Sequence, residues 1–174
     1  MGTVSTVAEA FSNPTCRAVY LNTKIVPFAA YTGTGALSIK AGEPVVLGNA
    51  PMQVAPLATG NQVSSSANLI GIASSSFTPG DGGYGSTDVA VYMPEPTSFY
   101  KIGKSVIDPS VLPIAAPTTG SLTPLYAWGG GGWTTNSANA MTGYAQPLAY
   151  IYNVYADGSL LINVGPLIGN WSND

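Results

Sequence analysis

Glycine and proline interrupt this chain so often that hardly any stretch is long enough for a helix of several turns. The 174 residues include 21 glycines and 14 prolines, and proline breaks the helical hydrogen-bond ladder while glycine weakens it. In the segments between these residues, successive side chains alternate between two faces instead. In "STDVAVYM", Val89, Val91 and Met93 share one face, and in "SLLINV", Leu160 and Ile162 do the same. Because a period of two is typical of half-buried strands, we predict an all-β chain.

Two connections between the predicted strands can be assigned from their residues. In "LAYIYNVYADGSLLINV", Asp157-Gly158 lies between two β-rich segments, and both residues tolerate the positive φ of a type I′ hairpin turn. The loop "SSSFTPGDGGYGS", residues 74–86, resembles a longer connection of the same kind. We therefore expect a tight type I′ hairpin at Asp157-Gly158.

The four glycines of "LYAWGGGGWTT" raise the question of a phosphate loop. Such a loop leads into a helix and ends in Lys-Ser/Thr. Here Trp133-Thr134-Thr135 follows, with no lysine and no helical pattern. The glycines are therefore predicted to form a turn at the tip of two strands.

Short strand-like motifs recur in the same order in both halves of the chain. "EPVVLGN", "NLIGIA" and "STDVAVYMPEP" are followed by "TPLYAWG", "MTGYAQ" and "GSLLINVGP". Self-similarity of this kind indicates related structural units. We predict two small related barrel-like or sandwich-like β-modules, residues 41–103 and 104–174, preceded by an N-terminal arm, residues 1–40.

The chain carries very few charges for its size. Charged residues make up 7% and hydrophobic residues 45%, whereas ordinary globular proteins are about 25% charged. A free monomer of this composition has little charge to keep it apart from its neighbours, so we expect copies of the chain or another partner to cover much of its surface. A surface of Ser, Thr, Asn and Gly is the alternative.

Charge and hydropathy also bear on nucleic acids and membranes as partners. The net charge is −3 and the five basic residues are scattered, whereas nucleic-acid binding needs a clustered basic face. The start "MGTVSTVAEAF" has no basic region ahead of a long apolar core, and no apolar run reaches 18 residues. We expect neither nucleic acid nor a membrane as a partner.

The side chains most common in catalysis are scarce. There is no histidine and the single cysteine is Cys16, which excludes a Cys-His nucleophile and a zinc site. A pair of acids, such as Asp88 with Glu95, would suit a glycoside hydrolase, but no pattern marks it. We expect no catalytic residues, no cofactor and no metal.

Aromatic residues crowd the second half. In "YIYNVY", one strand face can carry Tyr150, Tyr152 and Val154 and the other Ile151 and Tyr155, so both faces are apolar or aromatic. Such a strand fits a core on one side and an interface, or a sugar-stacking surface, on the other. The arm is also apolar, and we expect it to add to a neighbouring subunit or shell. The candidate interface residues are Val4, Val7, Phe11, Val19, Tyr20, Trp128, Trp133, Tyr150 and Tyr152.

The ordered set of motifs resembles a known family. "KAGEPVVLGN", "NLIGIASSS", "STDVAVYMPEPTSFYKIG", "TPLYAWGGGGWTT", "MTGYAQ" and "DGSLLINVGP" are similar, in that order, to the strands of the head decoration, or capsid cement, proteins of tailed bacteriophages. The resemblance covers residues 41–165. In the family the small-residue turn usually carries polar or charged residues, where this chain has Trp128 and four glycines.

The resemblance implies a structural role without chemistry. Such proteins are made in the host cytoplasm and bind the outer surface of the virion capsid, often as homotrimers. Their partners are the major capsid protein and other copies of themselves, and they stabilise the shell by burying surface. A carbohydrate-binding or host-adhesion module is the alternative, because it would also account for the aromatic residues.

Overall fold

A computed structural model describes residues 16–18, 24–31, 38–57, 69–79, 88–94 and 98–164. Within these ranges the strands are β1 (Cys16–Ala18), β2 (Lys24–Ala30), β3 (Pro44–Leu47), β4 (Gln53–Pro56), β5 (Leu69–Ala73), β6 (Asp88–Met93), β7 (Phe99–Ile102), β8 (Thr123–Ala127), β9 (Trp133–Thr134), β10 (Ala149–Val154) and β11 (Leu160–Asn163). The helical residues in the same ranges are three short 3-10 turns, Lys104–Val106, Pro109–Val111 and Ser137–Asn139. The prediction of an all-β chain is confirmed.

The first unit is a closed barrel with strand order β2-β4-β3-β5-β6. Antiparallel pairing of β2 with β6, from Lys24↔Met93 to Ala29↔Asp88, closes it. Alternate residues of each strand point inward and fill the barrel. The buried interior includes Phe28, Val45, Val54, Ile70, Val89 and Val91. Closure gives each of the five described strands a partner strand on both sides.

The second unit is a curled six-stranded sheet with the order β1-β7-β11-β10-β8-β9. The inner face of this sheet carries the apolar residues of the alternating pattern that the sequence shows. The fully buried residues on that face are Tyr100, Ile102, Leu125, Ile151, Leu160 and Ile162. The strand pattern predicted for "SLLINV" is confirmed, with Leu160 and Ile162 on the core side.

The two units share one core. Residues on the outside of the barrel wall, such as Val46 and Ile72, belong to the same buried cluster as Tyr100 and Trp133 of the second sheet. The rings of Tyr92 in β6 and Tyr100 in β7 lie 5.4 Å apart, tilted by 48°. We conclude that the barrel and the sheet fold against each other.

The predicted hairpin is present, but its turn differs from the prediction. β10 and β11 pair antiparallel around Asp157-Gly158, and Gly158 has φ +80° whereas Asp157 does not have positive φ. The amide of Gly158 donates to the carbonyl of Tyr155, and the amide of Tyr155 donates to the carbonyl of Ser159. This is a three-residue loop with one left-handed glycine in place of a type I′ turn.

The predicted boundaries of the arm and modules are corrected by the sheet pairing. β2, which falls within the predicted arm 1–40, is a barrel strand, and β7, which falls within the predicted module 41–103, pairs with β11 in the second sheet. Of the repeated motifs, "NLIGIA" contains β5 whereas "MTGYAQ", residues 141–146, forms no strand. Short apolar motifs do not specify their partner strand, because pairing depends on distant residues.

The four glycines form the predicted turn, which joins β8 to its antiparallel partner β9. Gly131 and Gly132 have φ of +89° and +109°, a region that strongly favours glycine. At Gly132 an added Cβ would lie 2.1 Å from the carbonyl oxygen of Val106. Glycine is therefore required here by close backbone packing.

Candidate interaction surface

The outer face of the second sheet carries a group of aromatic and apolar side chains. In β7, β8 and β10 the residues that alternate with the core residues are only partly buried or exposed, and in β11 Leu161 is partly buried whereas Asn163, on the same side, is buried. We call the following residues the aromatic face: Phe99, Tyr126, Tyr150, Tyr152 and Leu161. These side chains lie on one side of the sheet, and the register places buried Asn163 between Phe99 and Tyr150.

The most exposed aromatic side chain of this face is Tyr152, at 43%. Its ring packs edge-on against Phe99, with centroids 4.9 Å apart and planes at 87°, a favourable aromatic geometry. The register of β10 on β11 shifts between Ile151 and Asn153, so Tyr152 is the extra residue of a β-bulge. Bulges turn a side chain away from its regular position, and both Tyr152 and Asn153 are exposed.

A charged cluster borders the aromatic face. The Nζ of Lys101 in β7 lies 3.2 Å from Oδ2 of Asp157 and 4.7 Å from the ring centre of Tyr155. Asp157 Oδ1 accepts hydrogen bonds from the amide and hydroxyl of Ser159. These hydrogen bonds, from Ser159 first and then Lys101, lower the pKa of Asp157 to about 2. The cluster ties the hairpin loop to β7.

The structure brings together two of the residues predicted to form an interface. Tyr150 and Tyr152 lie on the outer face, whereas Ile151 is 0% exposed in the core. The sequence left open which side of "YIYNVY" faces the core, and the structure assigns Ile151 to it. Val154 lies past the bulge and packs partly against the core instead of joining the two tyrosines.

The prediction that Trp133 lies at an interface is wrong. Trp133 is 0% exposed, and its indole Nε1 donates to the carbonyl of Gly42. A side chain this large fills the junction between barrel and sheet, where burial is most favourable. Trp133 therefore stabilises the core of the chain itself.

Trp128 lies far from Tyr152, the most exposed residue of the aromatic face. Tyr150 pairs with Pro124 on antiparallel β8, so Trp128 and Tyr152 lie in opposite directions from this pair. At about 3.3 Å per residue this places Trp128 roughly 20 Å from Tyr152 along the strands. The indole of Trp128 lies instead over Gly130 of its own turn.

The remaining predicted interface residues, Val4, Val7, Phe11, Val19 and Tyr20, lie outside the described residues. Sequence reasoning also missed Tyr126 and Leu161 of the aromatic face and two residues of β7, Phe99 in that face and Lys101 beside it. Both were assigned to the other module, although the alternation of "FYKI" predicts that they share a face.

A buried carboxylate, Asp108, organises the opposite end of the sheet. Its Oδ1 accepts from the amide and hydroxyl of Ser110, and its Oδ2 accepts from Thr134 Oγ1 and Asn139 Nδ2. Burial is the largest single influence and raises the pKa of Asp108, but the four hydrogen bonds together outweigh it and lower the pKa. This network joins β9 to the 3-10 turns.

A second buried carboxylate, Glu43, lies at the start of β3 and is 4% exposed. Burial raises its pKa, against the lowering effect of the Lys40 amide, which donates to Oε2 at 3.1 Å, and of the Lys40 charge. Among the residues that the structure describes, no group of three or more Cys, Asp or Glu could hold a metal ion. Of the suggested acid pair, Asp88 begins β6 and Glu95 lies outside the described ranges.

Where the chain is described, it contains no helix of the length and apolar character needed to cross a membrane. A comparison of the whole sequence with protein-family models and with curated proteins gave no match.

Proposed function

We propose that this chain is a structural virion protein that binds the outer surface of an icosahedral phage capsid and stabilises it. The observation that carries this proposal is the aromatic face, a rigid sheet surface in a chain with 7% charged residues. Aromatic residues are enriched at protein interfaces and charged residues are depleted at their centres. The resemblance of the ordered motifs to decoration proteins is the reason for proposing the major capsid protein as the partner.

The proposed mechanism is the burial of surface across joints between coat subunits. A protein that binds only the assembled shell stabilises it by mass action. A standard interface buries roughly 800 Å² per partner, and Tyr152 with Phe99 would lie near its centre. Aromatic residues in such positions often contribute 2 kcal/mol or more to binding. The role requires no catalytic residue and no cofactor.

We also propose that the chain forms a homotrimer. The low fraction of charged residues supports self-association, and the resemblance to decoration proteins supports the number three. Sedimentation of the wild-type protein at micromolar concentration tests this point. A well-behaved monomer would contradict it.

The test of the capsid role is binding to particles of the phage that encodes the chain. We expect the protein to co-purify with intact particles in stoichiometric copy number. Purified Tyr152→Asp should decorate such particles at least about 100-fold more weakly, because a charge would be placed at the centre of the interface. Thr78→Asp adds the same charge at an exposed position of the barrel and serves as the control.

A sugar-binding role is the second candidate, and the exposure of Tyr152 beside Asn153 favours it. Aromatic rings stack on sugars while neighbouring polar groups bond to hydroxyls. A glycan array separates the two roles. Binding to glycans that is lost in Tyr152→Ala, together with no binding to particles, would replace the capsid proposal with this one.

A further inference from the structure

A groove of about 480 Å³ lies at one end of the second sheet. Its walls are the hairpin loop, residues 154–158, and the segment 112–114, together with Lys104. We call this surface the hairpin groove. Leu112 is 36% exposed in it, and the groove is as large as many ligand sites.

The segment that forms one wall of the hairpin groove offers unpaired backbone groups. Residues 112–118 form no strand or helix. The amide of Ile114, which lines the groove, and the amides of Ala115 and Ala116, which follow it outside the lining, have no hydrogen-bond acceptor among the described residues. Apolar side chains beside free backbone amides are the features that bind an extended peptide by adding a strand.

The position of β1 indicates where such a peptide can come from. Cys16 pairs with Ile102 and Ala18 with Tyr100 in antiparallel register. The first described residue of β1 therefore lies beside the last residue of β7, just before Gly103 and Lys104, at the end of the sheet that holds the hairpin groove. The 15 residues that precede Cys16 can span up to about 50 Å.

An extended segment of this length is longer than the width of the sheet in its own copy. β1 and β10 are three strands apart, which is about 14 Å, so a segment of 15 residues can extend beyond the sheet of its own copy. Their apolar residues include Val4, Val7 and Phe11, and their one charged side chain is Glu9. Lys104 in the lining of the hairpin groove carries the opposite charge, whereas Asp157 of the same lining is paired with Lys101.

We propose that the hairpin groove binds residues 1–15 of a second copy of this chain. The inference rests on the self-association proposed above. A ring of three copies needs an interface in which two different surfaces meet, because a twofold contact between identical surfaces cannot close a trimer. A terminal segment in a neighbour's groove provides such an interface. Each copy then donates one segment and accepts one.

Disulfide trapping in the full-length protein tests this docking. The variant Cys16→Ser/Val7→Cys/Ala156→Cys has one cysteine in the donated segment and one at the exposed edge of the hairpin groove. Under mild oxidation we expect disulfide-linked dimers and trimers. Their yield should exceed by at least about tenfold that of the control Cys16→Ser/Val7→Cys/Ala138→Cys, because docking raises the local concentration of the two thiols. Ala138 is also exposed but lies outside the groove.

Each other outcome contradicts the proposal. A disulfide within one chain, detected by mass spectrometry as an oxidised monomer, would show that the segment occupies its own groove. Equal yields from the two variants would show that it does not dock there. Sedimentation of the wild-type protein distinguishes failure of this docking from failure of the proposed self-association. If the wild type is an oligomer but the disulfide does not form, only the docking of residues 1–15 in the hairpin groove is excluded, and the proposal of a trimer is unaffected.

Discussion

The indole Nε1 of Trp133 in β9 donates a 2.8 Å hydrogen bond to the carbonyl oxygen of Gly42, which is 91 residues away in the sequence. Gly42 precedes β3 of the barrel, and its amide donates to the carbonyl of Ala73. Both Trp133 and Gly42 are buried. This contact links the second sheet to the barrel within their shared core.

Trp133→Phe is expected to lower the free energy of unfolding by about 2–4 kcal/mol, because the buried Gly42 carbonyl loses its donor and the smaller ring leaves space. Urea unfolding followed by circular dichroism measures the change. Barrel and sheet should unfold in one transition because they share a core. Two separate transitions in the wild type would contradict that coupling. Trp128→Phe, a partly exposed tryptophan on its own turn, is the control with a smaller effect.

Tyr152→Asp and Ile151→Asp are expected to differ although they are neighbours. Ile151 is 0% exposed and Tyr152 is 43% exposed, and an unpaired charge in a core costs several kcal/mol. Ile151→Asp should therefore unfold the protein, whereas Tyr152→Asp should keep its circular dichroism spectrum and lose its binding to particles. A folded Tyr152→Asp variant that decorates particles as strongly as the wild type would exclude the aromatic face as the capsid-binding surface.

Gly132→Ala is expected to destabilise the protein by more than about 3 kcal/mol. It combines φ +109° with an added Cβ 2.1 Å from the Val106 carbonyl, so backbone strain and a clash with backbone act together. Gly120→Ala is the matched control, since φ is +81° there but nothing lies within 4 Å of the added Cβ. Its effect should stay near 1–2 kcal/mol, as measured by urea unfolding. Equal losses would mean that the clash is relieved by movement.

Acid should destabilise the protein through Asp108. Its folded pKa lies below the ordinary value of 3.8, so its contribution to stability is complete above that value and is lost as the pH falls through the folded pKa. Asp108→Asn should lower stability at neutral pH, since an amide cannot accept all four hydrogen bonds, and should flatten the acid side of the stability curve. Urea midpoints measured across the acid range report both effects.

The ionisation of Glu43 should change stability with pH in the direction opposite to that of Asp108. Its pKa is raised above 4.5 by burial, so the folded state holds the proton more tightly than the unfolded state does. The contribution of Glu43 to stability is therefore greatest below pH 4.5 and is lost as the pH rises through its folded pKa. Glu43→Gln keeps an acceptor for the Lys40 amide, and its stability relative to the wild type should increase from acid to neutral pH. A constant difference between the two proteins would contradict this assignment.

Much of the local structure could be predicted from the sequence. Frequent Gly and Pro exclude long helices by their effect on the backbone of their own segment, and the alternation in "SLLINV" and "STDVAVYM" defines two faces for each strand. The hairpin at Asp157-Gly158 and the glycine turn before Trp133 follow from residues that tolerate left-handed φ. These features depend on neighbours in sequence, so they can be read without knowledge of distant contacts.

The tertiary structure decided which strands pair and which face of each strand is covered. The pattern "YIYNVY" is apolar on both sides, so only packing against the core identifies Ile151 as the inner residue and leaves Tyr152, at a bulge, outside. Likewise, only the pairing of β7 with β11 brings Phe99 to Tyr152, and only the meeting of barrel and sheet buries Trp133. The physical reason is that alternation fixes the faces of a strand locally, whereas burial depends on long-range contacts that form between residues far apart in the chain.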